Sequence, residues 1–213
     1  LLHLDSLRLA IISGRKLDYA VELLPIPGLV IAGTYGLELR DPEGTIHITS
    51  GVEGFRPFLS ALKTEWGKLL APYNGFNLED KSWTLAIHAR YAPPDEARAV
   101  LDQAWESAVS LGVPEGLNFL HGNRFLEIGP RIASKARAVT QIYGEYPLAG
   151  STAVYLGDDD KDEAGFDTIN AMEGISILVS SDFHPTKASF WLKSPREARA
   201  WLSALADRWE KKT

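Results

Sequence analysis

Hydrophobic positions at the start of the chain run together instead of alternating. The segment 7–13, LRLAIIS, is a continuous apolar run followed by turn residues, and 28–33, GLVIAG, is a second such run. Continuous runs of this length are typical of strands buried on both faces of a parallel sheet. Between them, 16–24 has helical character and is ended by Pro25 and Pro27. The order strand, helix, strand predicts a βαβ unit and therefore a parallel sheet.

The middle third of the chain follows a different pattern. In 82–91, SWTLAIHARY, apolar and polar side chains alternate, with Leu85 and Ile87 on one face and His88 and Arg90 on the other. Such alternation is typical of a sheet that is covered on one side only. This strand is therefore predicted to lie in a second, half-exposed sheet.

Two helices and a hairpin are predicted on either side of that strand. Apolar residues recur at helical spacing in 52–70 and again after the Pro-Pro pair at 93–94. Segment 116–130 contains two strand-like runs around a Gly-Asn pair, which is a hairpin signal. A short hairpin or edge strand is also predicted at 44–50.

The pattern of buried strands returns after residue 130. Apolar runs at 153–156 and 174–180 predict strands, and helices are predicted at 134–146 and 160–172. A capping box that begins at Ser194 predicts a last helix.

The order of elements predicts an α/β protein with two parts. Residues 1–44 and 130–213 are expected to form a Rossmann-like core around a parallel sheet, and residues 45–129 an inserted α/β domain.

Composition and charge narrow the class of protein. The 213 residues carry a net charge of −6 and no cysteine. An acidic chain without a basic run argues against nucleic acid as a partner, and the lack of cysteine excludes disulfides and thiolate nucleophiles. No run of 18 apolar residues predicts a membrane span, and the first residues do not resemble a signal peptide. A cytoplasmic protein without a membrane partner is therefore expected.

Three polar groups lie where an open parallel sheet binds its ligands, beyond the carboxyl ends of the strands. Ser13 ends the first strand, Asp158 follows the strand at 153–156, and Lys135 lies in the first turn of a helix. A hydroxyl, an ammonium and carboxylates are suited to hold a phosphate beside a hard cation such as Mg²⁺. Each residue also has an ordinary explanation, as a turn residue, a surface charge or a helix cap.

Several segments resemble a known family. "SGR", "IASKARAV" and "GDDDKDEAGF" resemble motifs two, three and four of the haloacid dehalogenase superfamily. "IISGRKLD", "PGLVIAGTYGLELR", "LEDKSWTLAIHARYAP", "EIGPRIASKARAV", "YLGDDDKDEAGF" and "TKA" resemble, in order and spacing, the trehalose-6-phosphate phosphatase family. The resemblance covers nearly the whole chain.

The resemblance implies a core of the haloacid dehalogenase type with an inserted α/β cap domain. It implies Mg²⁺-dependent hydrolysis of a small-molecule sugar phosphate, trehalose 6-phosphate, in trehalose biosynthesis. The alternatives are a phosphatase of sucrose phosphate or a mannosyl phosphate, and a non-catalytic sugar-phosphate-binding domain. A trehalose-phosphate synthase is a candidate partner, and the oligomeric state is left open.

The resemblance also assigns roles to individual residues. It implies that Ser13 binds the phosphoryl group, that Lys135 balances its charge, and that Asp158 and Asp159 lie at the Mg²⁺. Asp162 would bond to the metal's water or to Lys135. Substrate-binding positions are implied at Arg15, Glu79, Lys81, His88, Arg90 and Glu127. Without the resemblance, the polar sheet face that carries His88, Arg90 and Glu127 would be interpreted as an ordinary solvated face.

The sequence departs from the family at the nucleophile. The superfamily's "D-x-D-G-T" motif is absent, because Asp5 has neither a second aspartate two residues on nor a Gly-Thr pair behind it. We therefore expect the nucleophile to lie outside these 213 residues, on a βα unit of about 30 residues. As written, the chain cannot form the aspartyl phosphate. Tyr35, Gly129 and Ala136 also differ from the family pattern, and Tyr35 stands where many members have histidine.

Overall fold

The computed structural model describes residues 7–122 and 124–210, so Asp5 and the predicted turn residue Asn123 lie outside the described residues. The strands are β1 Ala10–Ile12, β2 Val30–Gly33, β3 Glu38–Arg40, β4 Ile46–Ile48, β5 Asn77–Asp80, β6 Leu85–His88, β7 Leu117–Gly122, β8 Phe125–Pro130, β9 Val154–Gly157, β10 Ile175–Val179 and β11 Phe190–Leu192. The α-helices are α1 Leu17–Leu23, α2 Arg56–Leu70, α3 Pro94–Ser110, α4 Lys135–Glu145, α5 Glu163–Ala171 and α6 Pro195–Glu210.

The predicted βαβ unit is confirmed, and with it the α/β fold. Strands β1 and β2 pair in parallel, with Ala10 beside Val30, and α1 packs against β2. The sheet continues with β3 and β4, both antiparallel to their neighbours, in the order β1-β2-β3-β4. The edge strand predicted at 44–50 is β4, so this sheet extends to Ile48. Leu17, Leu29 and Ile31 form its apolar core.

A second parallel sheet has the order β11-β10-β9. Strand β10 is mostly buried and pairs in parallel with both neighbours, with Ile175 beside Val154 and Ile177 beside Phe190. The sequence did not predict β11, which is only three residues long and begins with the exposed Phe190.

Strands β1 and β9 are each the last strand of their sheet. All three residues of β1 are half-buried, and Val154 at the start of β9 is exposed. The prediction that the first strand is buried on both faces is therefore wrong for the described residues, where β1 is half-buried and also has a neighbouring strand on one side only. Helix α4 packs against β1 and α5, and α5 packs against β9, so α4 connects the two sheets.

The middle of the chain forms an antiparallel sheet in the order β5-β6-β8-β7. Helices α2 and α3 cover one face, and their contact includes a hydrogen bond of 2.9 Å from Trp66 Nε1 to the Ala104 carbonyl. The other face was predicted to be solvated, but Ala86 and Glu127 on it are buried. That part of the prediction is wrong, since Tyr35, in the turn after β2, and Lys161, in the turn after β9, contact Glu127 on this face. Strand β6 also ends at His88, so Arg90 does not share a strand face with it.

Within the described residues, no helix is long and apolar enough to cross a membrane.

Candidate functional site

The acidic turn after β9 folds around one inward-facing carboxylate. Asp162 is buried, and its Oδ2 accepts hydrogen bonds from the backbone N–H groups of Asp158 and Asp159, at 3.0 and 3.2 Å. Its Oδ1 accepts from the Lys135 ammonium at 2.6 Å and from the Tyr155 hydroxyl at 2.5 Å. The acidic side chains of this turn therefore differ in their surroundings. Asp162 is buried and paired with Lys135, whereas Asp158, Asp159 and Asp160 remain exposed to water.

The charge state of this turn follows from those contacts. Burial by itself would raise the pKa of Asp162, but the hydrogen bonds from Lys135 and Tyr155 outweigh burial and lower it. Burial raises the pKa of Asp159, assisted by the nearby Asp162 and Asp158. Asp162 is thus ionised and forms an ion pair with Lys135.

The backbone of Tyr35 links the loop of Ser13 to the start of α4, where Lys135 lies. The Tyr35 N–H donates to the Ser13 carbonyl at 2.9 Å, and the Tyr35 carbonyl accepts from the N–H of Ser134 at 3.0 Å. Ser134 precedes Lys135, the first residue of α4. Tyr35 has a left-handed backbone, with φ 56° and ψ 33°. A side chain on Gly14 would overlap its ring, so the serine loop packs directly against Tyr35.

The buried face of the antiparallel sheet carries a carboxylate with three donors. Glu127 Oε1 accepts from the Lys81 ammonium at 2.9 Å and from the Thr84 hydroxyl at 2.8 Å. Its Oε2 accepts from the Tyr35 hydroxyl at 3.1 Å. Glu127 is 2% exposed and Lys81 is 5% exposed, so each of these two charges is balanced by the other and not by water. The structure therefore joins this sheet to the first sheet through Tyr35.

Among the predicted sugar-facing residues, Glu79, Lys81, His88 and Glu127 lie together, whereas Arg90 lies apart from them. His88 Nε2 lies 2.8 Å from Glu79 Oε2, and Lys81 Nζ lies 3.9 Å from the same oxygen, which extends the Glu127 contacts along the sheet. The hydrogen bond with His88 lowers the pKa of Glu79, and the charges of Lys81 and Arg15 add to it. Arg15 is exposed.

Arg90 is not brought into this group. It is exposed and lies 5.9 Å from the ring of Tyr91, which is itself 82% exposed. The chain turns after His88, so the strand alternation that placed Arg90 beside it does not hold.

Sequence reasoning missed Lys161 and the central place of Tyr35. The Lys161 ammonium lies 2.7 Å from the Tyr35 hydroxyl and 3.6 Å from Glu127 Oε2. Burial above all, and then the Glu127 carboxylate, raise the pKa of Tyr35, so its hydroxyl stays protonated. The available signal was that Lys161 is the single cation within the acidic turn. Nothing local indicated that it reaches another sheet.

The described residues supply only some of the ligands that a metal ion needs. Within residues 7–122 and 124–210, no group of three or more histidine or acidic side chains is arranged to hold a metal. The exposed carboxylate of Asp158 forms no hydrogen bond or ion pair with another described residue. Mg²⁺ usually takes one or two protein carboxylates and completes its shell with water and phosphate oxygens. Asp158 fits that requirement, and Asp159 beside it has one carboxylate oxygen engaged, since its Oδ1 lies 3.5 Å from the Lys135 ammonium and accepts from the Lys161 N–H at 3.0 Å.

Two cavities differ in their relation to these residues. One, of about 40 Å³, is lined by Tyr35, Thr84 and Glu127 among others, and has room for about one water molecule. The other, of about 420 Å³, is lined by Arg56, Pro57, Leu59, Ser60, Lys63, Asp80, Ser82 and Leu85. None of its lining residues is a predicted site residue.

Known proteins match the chain over most of its length. The trehalose-phosphatase family model matches residues 5–196. A probable trehalose-phosphate phosphatase from Sinorhizobium fredii is 35% identical over 198 residues, 93% of this chain and 72% of that protein. A trehalose-6-phosphate phosphatase from Escherichia coli is 30% identical over 209 residues, 96% of this chain and 73% of that protein.

A solved structure shares the fold. The crystal structure of a trehalose-6-phosphate phosphatase related protein is similar with a TM-score of 0.81. The similarity covers 96% of this chain and 82% of that chain, at 20% identity.

Proposed function

Because the chain belongs to the trehalose-phosphatase family, we propose that it hydrolyses trehalose 6-phosphate to trehalose and phosphate. The observation that carries this proposal is the arrangement around Tyr35. Its backbone binds the serine loop and the start of α4, and Lys135 on α4 contacts the acidic turn. The loop of Ser13, the start of α4 and the acidic turn are thus linked to one another, which supports a phosphate site built from their hydroxyl, ammonium and carboxylate groups.

The phosphate end is assigned to Ser13, Lys135 and the acidic turn. The Lys135 ammonium neutralises phosphoryl oxygens, and the Ser13 hydroxyl donates a hydrogen bond to one of them. Asp162 positions Lys135 through the contact of 2.6 Å. Asp158 and Asp159 would hold Mg²⁺, which supplies Lewis-acid stabilisation of the phosphoryl charge.

The nucleophile is assigned to an aspartate outside these 213 residues. Strands β1 and β9 both carry an unpaired edge within the described residues; α4 packs against β1 and against α5, and α5 packs against β9. Unpaired backbone groups in a protein interior cost about 1–3 kcal/mol each, so a further strand between these edges would stabilise the fold. An aspartate on that strand attacks phosphorus, a second one protonates the sugar leaving oxygen, and water then hydrolyses the aspartyl phosphate.

The sugar end is assigned to the antiparallel sheet β5-β6-β8-β7 within the segment 45–129, acting as the cap. Glu79, Lys81, His88 and Glu127 form one connected polar group there, and its carboxylates and cations suit sugar hydroxyls. The cavity of about 40 Å³ beside Glu127 is too small for a disaccharide. Only one hydroxyl group of the substrate fits there, so the rest of the sugar must lie outside this cavity. Arg15 lies near Glu79 and remains a candidate for contact with the substrate. Arg90 is exposed and lies outside this polar group, beside Tyr91.

The proposal is tested with the complete protein that contains this chain. Phosphate release with Mg²⁺ is measured on trehalose 6-phosphate, sucrose 6-phosphate and a mannosyl phosphate. We expect trehalose 6-phosphate to give the highest kcat/KM. Preference for another sugar phosphate would correct the substrate, and binding without phosphate release would favour a sugar-phosphate-binding domain.

Two substitutions test the assigned residues in the same assay. Lys135→Ala and Asp158→Asn should each lower kcat by about 100-fold or more, because the first removes a cation beside the phosphoryl group and the second a carboxylate that would hold Mg²⁺. Lys68→Ala, on the exposed face of α2, is the matched control and should leave kcat unchanged. Near-normal turnover in the first two variants would refute the assignment. A cytoplasmic location and a synthase partner remain expectations attached to this function.

A further inference from the structure

Lys161 extends from the acidic turn to the antiparallel sheet. Its ammonium lies 2.7 Å from the Tyr35 hydroxyl and 3.6 Å from Glu127 Oε2 on β8. Tyr35 and Glu127 are themselves hydrogen-bonded at 3.1 Å. Within the proposed function, Asp158 and Lys135 belong to the phosphate end and Glu127 to the sugar end. The Lys161 side chain therefore links the two ends directly.

The ammonium of Lys161 keeps hydrogen-bonding capacity for a ligand. It has three N–H donors, of which the Tyr35 hydroxyl accepts one. Glu127 Oε2, at 3.6 Å, is beyond an ordinary hydrogen bond. The rings of Tyr35 and Phe125, each centred 5.0 Å from Nζ, hold the cation by cation–π attraction without using a donor. The side chain is 33% exposed, so a ligand can reach it.

A carboxylate and an ammonium side by side are complementary to a sugar hydroxyl. One hydroxyl can donate to Glu127 and accept from Lys161, because it is both a donor and an acceptor. The Phe125 ring next to the ammonium offers an apolar surface to the C–H groups of a sugar. A phosphate monoester without hydroxyls cannot make these contacts.

We propose that Lys161 is a specificity-determining residue that binds a sugar hydroxyl together with Glu127, and that Tyr35 positions it. The inference rests on the proposed function and adds to it the residue that couples sugar recognition to the acidic turn. Tyr35 is a positioning residue in this scheme, since its hydroxyl accepts from Lys161 and donates to Glu127.

The test compares two substrates of the complete protein, trehalose 6-phosphate and phenyl phosphate. For Lys161→Met, the ratio of their kcat/KM values should fall by about 10- to 100-fold, the range for a lost charged hydrogen bond. The fall should come mainly from a higher KM for trehalose 6-phosphate. Lys161→Arg keeps the charge and a donor and should retain most of the ratio. Tyr35→Phe keeps the ring and should lower the ratio in the same direction.

Two results overturn the inference. An equal loss on both substrates would leave the ratio unchanged and assign Lys161 to the phosphate or to folding, and unchanged kcat/KM values on both substrates would remove Lys161 from sugar recognition. Titration calorimetry with trehalose 6-phosphate separates this inference from the proposed function. A wild-type protein that binds the sugar phosphate without hydrolysing it overturns the function, while weaker binding by Lys161→Met still supports the inference. If the wild-type protein neither binds nor hydrolyses it, both are overturned.

Discussion

The Lys135 ammonium lies 2.6 Å from Asp162 Oδ1, and the two side chains are only 10% and 3% exposed. Both ends of the pair are also tied to the rest of the site. Asp162 binds the backbone of the acidic turn, and Lys135 begins the helix that follows the Tyr35 contact. One buried ion pair therefore fixes the distance between α4 and the acidic turn.

Removing one partner of this pair should destabilise the fold. Lys135→Met leaves a buried carboxylate without its cation and should lower the free energy of unfolding by about 3 kcal/mol, measured in urea. Adding Asp162→Asn should recover part of the loss, since the uncompensated charge is then gone. Lys187→Met is the control, because its pair with Asp167 is exposed and is worth at most about 1 kcal/mol. Equal losses for the two lysines would contradict the prediction.

Gly157, the last residue of β9, should not tolerate a side chain. A Cβ there would overlap the Cβ and Cγ of Asp162, so Gly157→Ala must displace the carboxylate that holds Lys135. We expect a loss of about 1–3 kcal/mol by thermal unfolding. Gly144→Ala, in α4 with no atom within 4 Å of the new Cβ, should be neutral or stabilising. A Gly157→Ala variant as stable as the control would show that the turn can shift freely.

The pair of Glu79 and His88 should make stability depend on pH in the acid range. The pKa of Glu79 is lower in the folded protein than its ordinary 4.5, so its ionised form stabilises the fold. This stabilisation is present above about pH 4.5 and is lost as the pH falls through the folded pKa. Glu79→Gln should therefore flatten the decline of unfolding free energy between about pH 5 and pH 3. Identical declines in the two proteins would exclude this contribution.

Mg²⁺ should stabilise the complete protein through Asp158. A ligand that binds only the folded state raises the melting temperature, so excess Mg²⁺ should raise Tm and a chelator should reverse the change. Asp158→Asn should remove most of this response. Asp160→Asn is the control, because Asp160 is an exposed carboxylate of the same turn without a predicted role. The assignment fails if both variants keep the full response to Mg²⁺.

Local patterns predicted most elements, and their errors have a common origin. The strand at 82–91 alternates, which correctly places Leu85 and Ile87 in the core, but alternation does not reveal what covers the other face. Glu127 lies on that other face, where the pattern predicted exposure to solvent, yet its side chain is buried. Arg90 was misplaced because the alternation continues past His88, where the strand ends.

The sequence by itself determined most of the strands and helices in their order, the family, and the candidate residues of the phosphate end, because periodicity and motifs are local properties. Only the tertiary structure decided that Tyr35 contacts Glu127 and Lys161, which are 92 and 126 positions away in the chain. Those contacts depend on how the antiparallel sheet packs against the first sheet. Packing of this kind arises from the burial of whole surfaces, and no short stretch of sequence records which surfaces will meet.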